Sequence, residues 1–292
     1  MDNYGFTILT DTASDITTEL ARRFGVFVLP MNVTVGDRSF AHYADFREMS
    51  VKDFYAALRR GEIASTAAIN RIYWGEEIEK HLSVGTDVLV MPFSKGLSTS
   101  HENALAAADE LRSKYPDRKL EVVDTLSVTG GLILQLKMAS DYRAAGLDPL
   151  EVKERLEREA LSICHHFTVQ DLGHLRRGGR ISATTAIVGS ALGIKPMLHV
   201  NNEGTLENLA KARGRKNSLT TLIDTMGELG TNLAEQTVVI AHADCLDEAE
   251  WLAAEIKNRF DCKETVIVDI GPVIGAHTGP GMMFTAYLGT HR

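Results

Sequence analysis

The sequence predicts an α/β protein in two parts, and three observations carry that prediction. Apolar strand-like runs alternate with amphipathic helical stretches through the first half, which implies parallel βαβ units. A helix dense in charge follows Pro149 and marks the best boundary by composition. Beyond it, apolar runs joined by turns precede two long helices, an α+β pattern with a largely antiparallel sheet. The expected parts are residues 1–158 and 159–292. A chain of 292 residues is long enough for two such units.

Phe6 to Leu9 reads as the first strand, stopping at Thr10 and Asp11. Ser14 or Asp15 is placed to cap a helix that carries Ile16, Leu20 and Phe24 on one face. Gly25 ends it. Val26 to Leu29 is the second strand, and Val33-Thr-Val35 before Gly36-Asp37 reads as a hairpin arm. Ser50 opens a helix with Val51, Phe54, Tyr55 and Leu58 inward. Ala64-Ser-Thr-Ala67 is a polar break that reads as a loop. Asp87 to Met91 is a strand of the buried type. A helix follows with Ala104, Leu105, Ala108, Leu111 and Tyr115 on one side. Leu120 to Val123 is a strand and Gly131 to Ala145 a helix. Gly146-Leu-Asp-Pro149 turns into the charged helix, where Glu151/Arg155 and Glu154/Arg158 sit at i,i+4.

In the second part, Ile163 to Val169, Pro196 to Val200 and Thr205 to Ala210 read as strands, the last two joined by the Asn201–Gly204 turn. Helices are expected at Arg215 to Leu229 and Asp247 to Phe260. Strands Val238 to Ala241, Thr265 to Ile270 and Phe284 to Leu288 complete the part.

Composition excludes several classes. Hydrophobic residues are 44% and charged residues 24%, as in an ordinary globular protein. Lys plus Arg is 31 against 39 Asp plus Glu, a net charge of −8 that argues against non-specific nucleic-acid binding. The three cysteines have no C-x-x-C spacing and read as reduced thiols of a cytoplasmic protein. The opening MDNYGFTILT has no basic n-region, so no signal peptide is expected. No apolar run approaches the roughly 18 residues of a membrane-spanning helix.

Five segments carry side chains suited to chemistry. Asp11-Thr-Ala-Ser-Asp15 follows the first strand and offers an acid and a hydroxyl, although helix capping alone accounts for it. Met91-Pro-Phe-Ser-Lys-Gly-Leu-Ser-Thr-Ser100 leads hydroxyls into a helix N-terminus, a natural anion site. It matches neither the P-loop nor the nucleophile elbow. Ala64-Ser-Thr-Ala67 adds two hydroxyls. Leu172 to Ser182 holds three arginines around a Gly-Gly pair, and arginine suits bidentate recognition of carboxylate or phosphate. Gly271 to Gly281 is rich in Gly and Pro and holds one imidazole, His277, which reads as a site loop. His165-His166 and His242-Ala-Asp244 lack a complete metal-ligand set.

Taken in order, these segments resemble the DegV family of bacterial fatty-acid-binding proteins. The matching stretches are DTASDIT, LPMNVTVGDRSF, SKGLSTS, DTLSVTGG, LGHLRRGGRIS, LGIKPMLHVNNEGTL, KARGRKNSL and GPVIGAHTGPGMMF. They span nearly the whole chain. The resemblance implies a two-domain DegV-like fold, with a Rossmann-like parallel-sheet domain over 1–158 and an α+β lipid-binding domain over 159–292. It implies a long acyl chain in an apolar tunnel, its carboxylate held by hydroxyls from two loops and by a histidine. Those positions are Ser65 or Thr66, Ser94 with Ser98 as the next choice, and His277. The implied partner is a separate fatty acid kinase that converts the bound acid to an acyl-phosphate, with Arg177 and Arg180 at the docking or phosphate contact. Peripheral membrane contact for lipid exchange is compatible with this role. No catalytic residue, metal or cofactor is implied beyond the fatty acid ligand itself.

Two segments depart from the family pattern. The usual Thr-Ser-Gln-Pro-Ser loop is Ser65-Thr-Ala-Ala-Ile69, and the usual Ser-Ser-x-Leu-Ser-Gly-Thr run is Ser94-Lys-Gly-Leu-Ser-Thr-Ser100. The competing function is an acyl hydrolase or phosphotransferase acting alone through Ser94 and His277, since a triad can assemble from distant segments. A third reading is a scaffolding module acting through the Arg176–Arg180 turn.

Overall fold

The structure, a computed structural model, describes residues 5–170, 172–181 and 193–292. Ser182 and Leu192, at the ends of two of the motifs above, lie outside the described residues.

β1 (Phe6–Asp11) passes through a 3₁₀ turn (Thr12–Ser14) into α1 (Thr18–Phe24) and β2 (Val26–Leu29). β3 (Met31–Val35) and β4 (Arg38–His42) form the expected hairpin. α2 (Val51–Arg59), β5 (Ala64–Ala67), α3 (Arg71–Leu82), β6 (Asp87–Met91), α4 (Ser100–Lys114), β7 (Leu120–Val122), α5 (Thr129–Ala144) and α6 (Pro149–Glu159) follow. The helix starts have identifiable causes. Thr17, Ser50 and Asn70 each accept a backbone N–H of the first turn, and Asp148 forms a capping box with Glu151. Thr17 replaces the expected cap at Ser14 or Asp15. Ser14 gives its hydroxyl to Asp11 O, and Asp15 takes a left-handed conformation (φ 53).

β8 (Ile163–Thr168), α7 (Gly173–Arg177), β9 (Ile194–Val200), β10 (Leu206–Arg213), α8 (Arg215–Leu229), β11 (Thr237–His242), α9 (Leu246–Phe260), β12 (Glu264–Asp269), α10 (Pro272–Thr278) and β13 (Met283–Leu288) complete the described elements. The four-stranded sheet is all parallel, in the order β2-β1-β6-β7. The six-stranded sheet, β10-β9-β8-β13-β11-β12, is antiparallel except where β12 runs beside β11. A small antiparallel sheet, β4-β3-β5, stands apart from both. No helix among the described residues is long and apolar enough to cross a membrane.

Two expectations are corrected. Ala64–Ala67 is a strand rather than a loop, since antiparallel pairing with β3 supplies the backbone hydrogen bonds that its four small residues do not advertise. Gly271–Gly281 is not an open loop. Pro272 sits at the first helical position, where its fixed φ favours a start, and the helix runs to Thr278.

α5 joins the layers. Its first half, Thr129 to Leu136, is buried on every side, as expected of a helix inside a core. It packs on β8, β11 and β13 of the six-stranded sheet although it follows a strand of the parallel one. Gly131 permits the approach: a Cβ there would lie 1.9 Å from His165 Nε2. The same contact leaves His165 wholly buried, with no hydrogen bond at either ring nitrogen.

Candidate functional site

A cavity of about 790 Å³ opens where the ends of these elements meet. Apolar side chains, Met31, Phe93, Phe167, Ile274, Met282 and Phe284 among them, make up part of its walls. Among the polar residues that line it, Thr66, Arg180 and His277 lie together, with Ser98 next to the Leu97 carbonyl that Arg180 holds; this group is termed the polar end. Each comes from a different element: β5, the β6–α4 loop, the turn after α7, and α10.

His277 Nε2 and Thr66 Oγ1 are hydrogen-bonded at 2.8 Å. Strand alternation turns Thr66 inward and leaves Ser65 exposed on the outer face. Burial, and then the charge of Arg180, push the His277 imidazole down to about 4, so it is neutral at physiological pH. Arg180 is half-buried, its Nε donates to Leu97 O at 3.2 Å, and its guanidinium also donates to Gly178 O. Burial lowers its pKa, yet arginine stays charged. The polar end therefore presents one permanent cation, one neutral imidazole and two hydroxyls. That set suits a carboxylate.

Gly178 is the reason the arginine turn and the histidine meet. A Cβ on Gly178 would stand 2.2 Å from His277 Nδ1. The resemblance implies that Arg177 and Arg180 stand at a docking or phosphate contact. In the structure Gly178 lets α7 close on α10, and Arg180 lines the cavity while Gly179 is exposed beside it. Arg177 remains exposed and off the cavity wall.

Ser94 is also placed differently from expectation. It is fully buried, donates its hydroxyl to Gly204 O at 2.7 Å and accepts from Gly96 N at 3.2 Å. It ties the β6–α4 loop to the β9–β10 turn and does not line the cavity. Ser98 does line it, with Oγ accepting from Ser100 N at 3.1 Å. A Ser94–His277 nucleophile–base pair is not formed. The imidazole pairs with Thr66 instead, and its Nδ1 faces Gly178 rather than an orienting carboxylate.

The DTASD acids act one layer behind. Asp11 accepts from Ala13 N at 3.0 Å and from Phe93 N at 3.1 Å, which holds Phe93 on the cavity wall. Burial raises its pKa to about 7. Asp15 accepts from Gly271 N at 2.9 Å and so fixes the start of α10, while Tyr55 donates to Ile270 O at 2.8 Å just before it. Burial raises Asp15 to about 8. The sequence reading missed Lys95, which lines the mouth in an ion pair with Asp124 at 2.6 Å, and Thr129, on the inner wall. A lysine inside a hydroxyl-rich run was the signal for the first. Among the described residues no group of three or more His, Cys, Asp or Glu is arranged to hold a metal.

Comparison with known proteins follows the same lines. Residues 5–288 match the family model described as "Uncharacterised protein, DegV family". A DegV domain-containing protein of Clostridium perfringens is 38% identical over 284 residues, covering 97% of each chain. A solved structure described as fatty acid binding of a DegV family protein from Thermus thermophilus superposes with TM-score 0.86 at 26% identity, over 97% of this chain and 99% of that one. The Streptococcus pneumoniae Fatty Acid Kinase (Fak) B3 protein, loaded with linoleic acid, shares the fold with TM-score 0.83 at 21% identity, over 97% and 99%. With its α/β layers, its cavity and these matches along almost its whole length, the chain belongs to the DegV family.

Proposed function

We propose that this protein binds a long-chain fatty acid in the cavity and presents its carboxylate to a separate fatty acid kinase for acyl-phosphate formation. The single observation that carries the reading is a cavity of about 790 Å³ with several apolar side chains in its walls, in which Thr66, His277 and Arg180 come together. Each buried CH₂ contributes about 0.8 kcal/mol, so a dozen give on the order of 10 kcal/mol before ordering costs. The head group then needs only enough polar contact to fix its orientation. Arg180 balances one negative charge, and the neutral imidazole and the hydroxyls add directional hydrogen bonds.

The kinase step is supported by the fold shared with the Fak B3 protein and by the exposed Arg177 next to the turn that carries Arg180. In this reading the protein itself performs no bond-making chemistry. The test is native mass spectrometry of the purified protein, before and after adding stearic acid, followed by a coupled assay with a fatty acid kinase and ATP. A bound acyl chain and kinase-dependent acyl-phosphate are expected. Absence of any acyl adduct in both samples would sink the binding reading, and binding without kinase-dependent product would sink only the presentation step.

A further inference from the structure

The charge of the cavity wall exceeds what a single carboxylate requires. Among the described residues that line it are two cations, Lys95 and Arg180, and no Asp or Glu, in a chain whose net charge is −8. Both cations are tied to one turn. Leu97 N and Ser98 N donate to Ser94 O at 3.1 and 3.3 Å, and Arg180 Nε holds Leu97 O. The backbone on either side of Lys95 is fixed. Ser94 donates to Gly204 O, and Gly96 packs so closely that a Cβ on it would lie 2.7 Å from the Gly204 carbonyl carbon. A lysine here is also a departure, since the usual family run has a second serine at this place.

Lys95 is half-exposed, and its ammonium stands 2.6 Å from Asp124, a residue that does not line the cavity. Among the described residues Asp124 is its one ion-pair partner. An ammonium has three donors, more than one carboxylate contact uses. The pair is neutral as a unit, so Arg180 is left to balance the carboxylate of a bound fatty acid. Phosphoryl transfer changes that demand. A carboxylate oxygen bonds to the terminal phosphorus of the nucleoside triphosphate while the bond from that phosphorus to its bridging oxygen breaks. The nucleoside diphosphate leaves with the electron pair, and no proton is exchanged. The head group carries one negative charge before the step and about two after it.

We propose that Lys95 is a phosphoryl contact of this site, so that Lys95 and Arg180 together retain the dianionic acyl-phosphate. The ammonium turns from Asp124 to the phosphoryl oxygens, which offer three strong acceptors to a compact cation on a flexible stem. Until they arrive, Asp124 keeps the lysine from adding to the hold on the carboxylate. The inference rests on the fatty-acid and kinase reading above. A synthetic analogue of the product tests it without a kinase, so its failure is distinct from the failure of that reading.

The probe is stearoyl methylenephosphonate, in which a CH₂ replaces the bridging oxygen of stearoyl phosphate and blocks hydrolysis. Its calorimetric affinity is compared with those of stearic acid and stearoyl lysophosphatidate, at a pH where the phosphonate is doubly ionised, on the wild-type chain, Lys95→Ser and Lys95→Arg. The measured quantity is the ratio of phosphonate to stearic acid affinity. It should fall about tenfold in Lys95→Ser and stay within about threefold of wild type in Lys95→Arg. An unchanged ratio in Lys95→Ser overturns the inference, and a ratio lost equally in Lys95→Arg overturns the assignment to charge. Tighter binding of lysophosphatidate than of the phosphonate to wild type overturns the acyl-phosphate assignment in favour of a phosphate-ester lipid. Binding of stearic acid but not of the phosphonate to wild type overturns the inference and leaves the fatty-acid reading standing. Failure of both to bind wild type removes that reading itself.

Discussion

Two walls of the cavity use similar residues to different ends. The β6–α4 loop offers Ser94, Lys95 and Ser98, and the opposite wall offers Arg180 and His277. On the loop side the leading hydroxyl is committed to the backbone, Ser94 to Gly204 O, and the lysine to Asp124. On the α7–α10 side a glycine without side chain lets an imidazole and a guanidinium stand at the cavity surface. A motif rich in hydroxyls can thus be scaffolding, while a bare Gly-Gly pair makes the site. Which is which depends on where the backbone needs partners, and a linear motif does not show that.

The largest effect should come from the glycine that joins α7 to α10. Gly178→Ala puts a methyl where His277 Nδ1 stands. It should cost about 1–3 kcal/mol of stability by overpacking and also displace the imidazole from Thr66. Thermal unfolding and fatty-acid titration on the same preparation check it, and unchanged affinity would mean that His277 does not position the head group.

Ser94→Ala should act the other way round. It leaves Gly204 O buried without its donor, at about 1–3 kcal/mol of stability. Affinity for stearic acid in the remaining folded protein should stay within about threefold. Loss of affinity without loss of stability would return Ser94 to the head-group site.

The buried acids and imidazoles make stability depend on pH in opposite senses. Burial lowers His42 to about 3, and His166 and His277 to about 4. Each contributes stability that is full above the free value of 6.5 and is lost as pH falls toward the folded value. Asp11 and Asp15, raised to about 7 and about 8, contribute stability that is full below 3.8 and is lost as pH rises through those values. Melting temperature should therefore peak at about pH 6. Asp15→Asn, which retains an acceptor for Gly271 N, should flatten the alkaline side. An alkaline fall as steep as in wild type would show that Asp15 is not the group responsible.

The smallest effect is expected at Ser65. Its side chain is exposed on the outer face of β5, so Ser65→Ala should change stability by less than about 0.5 kcal/mol and leave binding untouched. A measurable loss of affinity there would contradict the inward assignment of Thr66.

Much of the fold was legible because periodicity and capping act locally. Asp87–Met91 and Arg215–Leu229 were bounded as observed, since an unbroken apolar run and a helix between two glycines leave little choice. β5 was not legible, because four small residues become a strand only when β3 pairs with them. At the site, the resemblance offered Ser65 or Thr66 without choosing. Register against β3 turns Thr66 inward, and that register is a tertiary fact. That Arg180 lines the cavity was not legible, since Gly178 packs against His277, a residue about a hundred positions away.

The central claim is that Arg180 and its neighbours hold a carboxylate while the chain fills the rest of the cavity. The most direct measurement compares stearic acid with its methyl ester, which keeps the chain and removes the charge, on the wild-type protein and on Arg180→Ala. A hydrogen bond to a charged group is worth about 1.5–3 kcal/mol, so the acid should bind wild type at least about tenfold tighter than the ester. Arg180→Ala should bring the two together near the ester's affinity. Equal binding of acid and ester to wild type, or a preference for the acid that persists in Arg180→Ala, would contradict the account.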